Sequence, residues 1–239
     1  MNIKNKTILI TGANRGIGRA LVEEALTLGA KQIFAATRAP YAHPDARVIP
    51  LLLDVTNPAQ IRKAAANIAD LDMLINNAGI ALYDDLSDRT MLDRHLATNF
   101  FGIYDMTQAF LPALRRSHGA IVNILSIVAL APLPLIASYS VSKAAAFSLT
   151  QSLRAFLAGQ GVSVHAVLTG PVDTDMNRGL DIPKAPPKSA ARAIFEGVQG
   201  EEEDIFPDPL SASMADAWRT GAFKAMERQN ASFVAALPA

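Results

Sequence analysis

The 239-residue sequence contains no cysteine, so disulfide bonds, thiolate metal sites and cysteine nucleophiles are all excluded. It also lacks a net charge, because 22 basic residues balance 22 acidic ones. A neutral chain has no overall field that would attract nucleic acid or anionic lipid. We therefore expect a partner that is recognised by a local site, and we expect neither nucleic acid nor a membrane.

Histidine is also scarce, and the four histidines show no spacing typical of metal ligands. They are His43, His95, His118 and His165. We predict no metal site and assign these side chains to the surface or to packing. The chain starts with a polar segment, residues 1–6, in place of an apolar signal sequence, so we expect a cytoplasmic protein.

One uncharged run, residues 119–142, is long enough on paper to span a bilayer. Pro132 and Pro134 would interrupt a helix in this run, and residues 121–125 are typical of a buried strand. We therefore assign the run to the interior of a globular fold.

Short apolar runs alternate with helical patterns along the whole chain. Strands are predicted at residues 7–10, 32–37, 48–53, 73–75, 121–125, 162–167 and 204–206. Helices are predicted at residues 17–28, from Pro58, and at 88–117, 138–158, 189–198 and 211–233. Such alternation is typical of a doubly wound parallel sheet, so we predict a single α/β domain of the Rossmann type covering residues 1–239.

A glycine-rich turn follows the first predicted strand and opens the first predicted helix. Its spacing, Gly-x-x-x-Gly-x-Gly from Gly12 to Gly18, has a longer first gap than the usual dinucleotide fingerprint Gly-x-Gly-x-x-Gly and is one residue longer overall. Backbone N–H groups and the helix dipole would point at whatever occupies the turn, which suits a pyrophosphate. The alternative is a turn needed only for tight packing of strand against helix.

The end of the second predicted strand carries an arginine, Arg38. A site for NAD places an acid there, on the ribose 2′-hydroxyl. An arginine can instead pair with a 2′-phosphate, and Arg15 in the glycine turn can supply a second cation. We predict NADP(H), with NAD(H) less favoured; the alternative is that Arg38 only caps a strand in solvent.

Tyr139 and Lys143 are four residues apart on a predicted helix and so share one face. The ammonium group can then lie beside the phenol and lower its pKa from about 10 towards the range useful for acid/base catalysis. The spacing alone is weak evidence, because it can arise by chance.

Four stretches together resemble the short-chain dehydrogenase/reductase family. They are residues 11–18, Asn76-Asn77-Ala78-Gly79, the set Ser126, Tyr139 and Lys143, and Gly170-Pro171-Val172-Asp173-Thr174. Their order and spacing match the family pattern. Two positions depart from it: Leu168-Thr169-Gly170 replaces the usual Asn-Pro-Gly, and Leu125 replaces a frequent serine. Neither change removes a catalytic group, although the first loses a proline constraint.

The resemblance implies an oxidoreductase that interconverts a carbonyl compound and an alcohol by hydride transfer. Tyr139 would be the acid/base and Ser126 would orient the carbonyl. Lys143 would lower the pKa of Tyr139 and hold the nicotinamide ribose, and Asn99 would bind a water linking Lys143 to solvent. The implied cofactor-binding residues are Gly12, Asn14, Arg15, Gly16, Ile17, Gly18, Thr37, Arg38, Asp54, Val55, Asn77, Ala78, Gly79, Tyr139, Lys143, Pro171, Val172 and Thr174.

The substrate is expected to be largely apolar, because apolar residues 130–135 and a mobile loop at about 175–188 would line its pocket. This favours a carbonyl reductase or alcohol dehydrogenase acting on a small molecule. One alternative is a 3-oxoacyl-thioester reductase. Such an enzyme would need a basic patch near the pocket to dock an acyl carrier protein, and Arg178 and Lys184 give this only thin support. Another is a non-enzymatic NADP-binding regulator, although the intact catalytic set argues against it. The resemblance also implies a homotetramer or homodimer formed through the helices at 88–117 and 138–158.

Overall fold

The computed structural model describes residues 1–236, which build one seven-stranded parallel sheet. The strands are β1 (Thr7–Thr11), β2 (Gln32–Thr37), β3 (Val48–Leu52), β4 (Met73–Asn76), β5 (Ala120–Ile124), β6 (Ser163–Val167) and β7 (Asp204–Ile205). Their order across the sheet is β3-β2-β1-β4-β5-β6-β7, so the direction of winding reverses between β1 and β4. Ligands of doubly wound sheets bind at the carboxyl ends of the strands beside such a reversal. The predicted fold class is confirmed.

Helices cover both faces of the sheet. Within the described residues they are α1 (Gly16–Thr27), α2 (Pro58–Asn67), α3 (Arg89–Leu96), α4 (Gly102–Ser117), α5 (Ala137–Leu157), α6 (Pro187–Gln199), α7 (Pro209–Arg219) and α8 (Ala222–Ala231). Strand β1 is buried throughout: Ile8 and Ile10 pack into one apolar cluster, and Leu9 packs into another cluster across the sheet. Successive side chains of β1 therefore point to opposite faces of the sheet, as the two-residue period of a strand requires.

The predicted helix at 88–117 follows one continuous helical path, but a π-helical segment, Ala97–Phe101, lies between α3 and α4. The segment contains Asn99, which is fully buried and hydrogen-bonded to neighbouring elements. Such segments are common at functional sites because the extra residue redirects a side chain within a helix.

The prediction of a single helix at 211–233 is wrong, because α7 ends at Arg219 and α8 begins at Ala222. The turn between them brings Lys224 inward, where its Nζ lies 2.6 Å from Oδ2 of Asp204. Glu227 and Arg154 extend this ion-pair cluster. Gly221, a poor helix former, lies at the break as the N-cap of α8, and the ion pairs with Asp204 hold α8 against β7 at the edge of the sheet.

The uncharged run at 119–142 forms β5, a short 3₁₀ turn (Ile127–Ala129), a loop and the start of α5. Among residues 1–236, no helix combines the length and the apolar character needed to cross a bilayer.

The loop between β6 and α6 is fastened to the chain at its far end. The N–H of Ala185 donates to the carbonyl of Pro171 at 3.0 Å, and the N–H of Asp173 donates to the carbonyl of Ala185 at 2.9 Å. Between these contacts the chain makes a 3₁₀ turn, Asp175–Asn177. The predicted mobility of residues 175–188 stays a prediction.

Candidate active site

The predicted site residues lie at the carboxyl ends of six neighbouring strands. The glycine turn follows β1, and the other stretches follow the next strands in chain order, ending with residues 170–174 after β6. Because all these strands are parallel, their carboxyl ends meet at one edge of the sheet. The fold therefore gathers at one cleft the groups that the sequence spreads over about two thirds of the chain.

The glycine turn combines tight packing with free hydrogen-bond donors. A Cβ on Gly18 would lie 2.1 Å from the carbonyl oxygen of Gly12, so only glycine fits. Within residues 1–236 no side chain caps the N-terminus of α1, which begins directly after Arg15. The first N–H groups of α1 are thus available to an anion such as a pyrophosphate. The packing role of the turn is confirmed by this contact, and its binding role stays a prediction.

The loop after β4 is fastened to this turn by side chains. The Asn77 amide donates to the carbonyls of Thr11 at 2.8 Å and Gly12 at 3.1 Å. The Thr11 hydroxyl oxygen accepts the N–H groups of Asn77 and Ala78. The Asn77 side chain therefore holds the walls of the cleft together.

The two predicted cations for the 2′-phosphate are in different situations. Arg38 is exposed directly after β2. Arg15 lies 3.6 Å from the carboxylate of Asp175, a residue of the loop after β6. The neighbouring Thr37 side chain is buried and donates to the carbonyl of Ala39, so only its backbone can face a ligand.

Asp54, Val55 and Val172 stand in the cleft walls. One Asp54 oxygen accepts both the N–H and the hydroxyl of Thr56, which holds the chain in a turn after β3. Val55 and Val172 are buried, so their side chains pack inward. Thr174 approaches the glycine turn, with its Cγ2 at 3.0 Å from where a Cβ of Gly16 would be.

Ser126, Tyr139 and Lys143 come together as predicted. Ser126 follows β5, and its side chain lies beside the phenol of Tyr139 on α5. The Nζ of Lys143 lies 5.6 Å from the centre of the Tyr139 ring and donates to the carbonyl of Ile124 at 2.7 Å. A hydroxyl donor, a phenol and an ammonium group thus share one small, buried volume.

Asn99 reaches the same volume from the π-helical segment. Its Oδ1 accepts the N–H of Ile80, and its Nδ2 donates to the carbonyl of Ile80 and to the hydroxyl of Ser142, all at 2.9 Å. Both hydrogens of the amide are therefore in use, and the amide ties the loop after β4 to α5. The water contact implied for Asn99 stays a prediction.

Burial dominates the ionisation of the two central groups. It raises the pKa of Tyr139 to about 12, although the neighbouring Ser126 hydroxyl acts in the opposite direction. Burial also lowers the pKa of Lys143 to about 8. The prediction that the Tyr139 pKa lies below its ordinary value is wrong for this structure, because the cost of removing the phenolate from water outweighs the opposing effect of Ser126.

The lowered pKa of Lys143 predicts a characteristic dependence of stability on pH. Between about pH 8 and 10.5, the unfolded chain still binds a proton that the folded Lys143 has released. The free energy of unfolding therefore rises with pH in this window. We expect Lys143→Met to remove that rise. Urea midpoints measured at about pH 8.5 and 9.5, inside the window, and at about pH 7.5, below it, test this.

The exposed Lys63 on α2 provides the control, since Lys63→Met should leave the wild-type profile unchanged. Tyr139 acts in the opposite sense only above about pH 10, where the unfolded tyrosine ionises first. Parallel profiles for the wild type and Lys143→Met would contradict the assignment.

Sequence reasoning missed Asp208, which fixes the loop after β6. One carboxylate oxygen accepts the N–H of Gly170 at 2.6 Å, and the other accepts the N–H of Ser211 as the N-cap of α7. A Cβ on Gly170 would lie 2.5 Å from this carboxylate. This contact constrains the loop where the proline of the usual Asn-Pro-Gly is replaced by Thr169. An aspartate directly before Pro209 is the signal that could have identified the cap.

A cavity of about 540 Å³ lies between α1 and the loop after β6. Gly16 and Thr174 line its inner end, and Arg178 and Lys184 are among its charged lining residues. The cavity therefore extends outward from the glycine turn, away from Tyr139.

Comparisons with known proteins agree with this geometry. A family model described as short chain dehydrogenase matches residues 6–184. The 3-oxoacyl-[acyl-carrier-protein] reductase FabG of Escherichia coli is 36% identical over 194 residues, which cover 75% of this chain and 79% of the relative.

Two solved structures extend the likeness. A short chain dehydrogenase from Burkholderia cenocepacia J2315 in complex with NADP has a TM-score of 0.86 and 36% identity, covering 92% of this chain and 95% of that one. An NADPH-bound carbonyl reductase from chicken fatty liver has a TM-score of 0.72 and 28% identity, covering 81% and 90% of the two chains.

Proposed function

Since the chain belongs to the short-chain dehydrogenase/reductase family, we propose that it is an NADP(H)-dependent oxidoreductase interconverting a carbonyl compound and the corresponding alcohol. The observation that carries this proposal is the meeting of Ser126, Tyr139 and Lys143 at one point of the cleft. A regulator that only bound the cofactor would have no need of this set.

The residues present fit NADP(H). The uncapped N-terminus of α1 and the close packing of Gly18 on Gly12 leave backbone donors and room for a pyrophosphate. Arg38 offers a planar guanidinium for a 2′-phosphate, with Arg15 as a second cation once it leaves Asp175. The NADP- and NADPH-bound relatives support the same choice. When bound, NADPH supplies the hydride.

The side chains then handle the proton and the developing charge. Ser126 and Tyr139 hydrogen-bond the substrate carbonyl and fix its direction. As negative charge develops on that oxygen, Tyr139 donates its proton, because an alkoxide is a much stronger base than a phenolate. The raised pKa of Tyr139 keeps the donor protonated before the reaction.

Lys143 completes the proton path in this proposal. It remains largely protonated near neutral pH, with its pKa lowered to about 8. Its ammonium group stabilises the phenolate that forms when Tyr139 donates, and it holds the nicotinamide ribose hydroxyls. In the direction of alcohol oxidation the same cation favours the phenolate as the base.

For the substrate we favour an apolar ketone or aldehyde, as in a carbonyl reductase. Large apolar side chains are exposed on both segments expected to flank the pocket. They are Leu133 and Leu135 after the serine, and Met176 and Ile182 on the loop after β6. Such a rim suits an apolar compound better than a charged sugar phosphate.

A 3-oxoacyl thioester is the second candidate, and the likeness to the Escherichia coli reductase favours it. An acyl carrier protein would require a basic surface near the pocket. Arg178 and Lys184 are the basic groups at the loop, but Arg178 is already paired with Asp175. The sequence similarity to the Escherichia coli reductase therefore supports this candidate, but the few basic side chains near the pocket give it little support.

We also propose that the chain forms a homodimer or homotetramer through α4 and α5. Aromatic side chains are exposed along these helices, namely Phe101 before α4, Tyr104 on α4 and Phe156 on α5. An exposed apolar stripe of this kind is typical of an interface. Sedimentation that finds only monomer at micromolar concentration would contradict the assembly. A cytoplasmic location stays a prediction from the polar segment at residues 1–6.

A substrate panel tests the proposal most directly. Aryl ketones, keto esters, steroids, sugars and 3-oxoacyl thioesters are each incubated with NADPH, and loss of its absorbance is followed. Turnover of apolar ketones supports the first candidate, and a strong preference for acyl thioesters supports the second. If NADPH binds and none of the compounds is reduced, the regulator is favoured instead.

A further inference from the structure

A buried histidine lies against the proposed catalytic tyrosine. His95 is in the last turn of α3 and is 0% exposed. Its ring centre is 6.3 Å from that of Tyr139, and the two planes meet edge-on at 70°. From the sequence, His95 is assigned to the surface or to packing, and nothing in the reaction described above uses it.

The contacts of His95 fix its protonation. Nδ1 lies 2.8 Å from the carbonyl oxygen of Met91, which can only accept, so Nδ1 carries a hydrogen. Nε2 lies 3.1 Å from the backbone nitrogen of Leu82, which can only donate, so Nε2 presents its lone pair. Only a neutral imidazole in this one tautomer satisfies both partners.

The histidine also holds the loop that runs beside the catalytic residues. Residues 77–88 connect β4 to α3. Beyond the contacts of Asn77 and Ala78 with the glycine turn, three side chains hold this loop: Asn99 holds Ile80, His95 holds Leu82, and the carboxylate of Asp84 accepts the N–H of Ser138 at the start of α5. Of these three anchors, His95 is the one whose side chain packs on the ring of Tyr139.

We propose that His95 is a positioning residue, which couples the loop after β4 to Tyr139 and keeps the phenol in its reactive place. This rests on the proposed function, since it concerns the same tyrosine. The imidazole contributes a rigid, dry wall on one side of the ring. Its lone pair on Nε2 prevents Leu82 from moving away.

Loss of the imidazole should act on catalysis more than on cofactor binding. Without its acceptor the Leu82 N–H is left unpaired, and the loop moves to find water. Tyr139 then loses a packed neighbour and samples more orientations. A small misplacement of a reacting group lowers the rate by roughly 10- to 100-fold. Asn77 holds the cofactor-binding start of this loop to the glycine turn independently of His95, so we expect NADPH affinity to change little.

Three substitutions separate the two hydrogen bonds. His95→Gln can place Oε1 near the position of Nε2 and accept from Leu82. His95→Asn can place Nδ2 near Nδ1 and donate to Met91, and His95→Leu can do neither. We expect kcat to fall roughly tenfold or more in His95→Leu and His95→Asn. His95→Gln should return to within about threefold of wild type, and the NADPH dissociation constant should stay within about twofold in all three.

A second measurement needs no substrate: the ultraviolet absorbance of tyrosinate is followed as the pH is raised. Subtracting the titration of the same protein carrying Tyr139→Phe leaves the ionisation of Tyr139 alone. Burial raises the pKa of Tyr139. Water admitted by His95→Leu should therefore bring ionisation of Tyr139 to lower pH than in wild type, and His95→Gln should preserve the wild-type titration. A merely structural role of His95 would not move this titration.

His165 provides the matched control. It is a buried histidine on β6 whose Nδ1 contacts the carbonyl of Glu202, and it does not touch Tyr139. His165→Leu should lower stability and leave kcat and the Tyr139 titration unchanged. If His95→Leu does not fold, the Gln and Asn variants carry the test.

The proposal is overturned if His95→Leu keeps wild-type kcat and titration, or if Gln and Asn lose activity equally. These outcomes are distinct from failure of the proposed function, in which Tyr139→Phe would itself retain turnover.

Discussion

Tyr139→Phe is expected to lower kcat for carbonyl reduction by roughly 10²- to 10⁴-fold, which is the usual contribution of a general acid. The variant keeps the ring and its packing against His95 but loses the proton that the substrate oxygen needs. Lys143 keeps its hydrogen bond to Ile124, so NADPH affinity should stay within a few-fold of wild type. Steady-state kinetics on a substrate from the panel, together with NADPH titration, measure both quantities.

Tyr104, which is exposed on α4, offers the matched control for Tyr139. Tyr104→Phe removes the same hydroxyl from a site away from the cleft and should leave kcat unchanged. A Tyr139→Phe variant that reduces the substrate within tenfold of wild type would show that another group donates the proton. Equal losses in both tyrosine variants would point to a general effect on the fold.

Arg38→Asp is expected to reverse much of the preference for NADPH. A hydrogen bond between charged groups contributes about 1.5–3 kcal/mol, or roughly 10- to 150-fold in affinity. The new carboxylate also repels a 2′-phosphate and can accept from a ribose 2′-hydroxyl, as acids do in sites for NAD. We therefore expect the ratio of kcat/KM for NADPH over NADH to fall by roughly 10²-fold or more.

The same change of charge at Arg115 controls for a general electrostatic effect. Arg115 is exposed near the carboxyl end of α4. Arg115→Asp should leave the cofactor ratio within about twofold of wild type. If Arg38→Asp leaves the ratio unchanged, selection of the 2′-phosphate depends on another residue, and Arg15 is the next to substitute.

The parts of the fold that the sequence predicted are those encoded locally. Apolar runs identified the strands, because both faces of a parallel sheet are buried. Apolar residues at helical spacing identified most helices, because one face of each helix packs on the sheet. The meeting of Ser126, Tyr139 and Lys143 at one place could be predicted because the motifs of the family keep a fixed order along the chain, and the catalytic roles of these residues stay a proposal. Asp54 and Thr37 were predicted to bind the cofactor. In the structure their side chains form hydrogen bonds to nearby backbone groups and hold local turns.

The features that sequence reasoning missed depend on contacts between distant residues. The break between α7 and α8 has one local signal, Gly221, but the position of α8 against the sheet depends on the distant pairing of Lys224 with Asp204. The direction of the Tyr139 pKa depends on how completely the fold excludes water, which the spacing to Lys143 cannot tell. His95 likewise acquires its importance only when α3 packs against α5.

The ion pairs around β7 also set an order of events during synthesis. Asp204 is almost fully buried and forms ion pairs with Arg154 and Lys224. During translation Arg154 is synthesised before Asp204, and Lys224 is synthesised after it. A nascent chain that ends at Arg219 therefore contains the edge strand but lacks one of the cations that balance its carboxylate. In such a chain Asp204 still has Arg154 as its partner, and Lys224 becomes its second cation only when α8 packs against β7. We therefore expect this edge of the sheet to reach its full stability only after α8 has emerged.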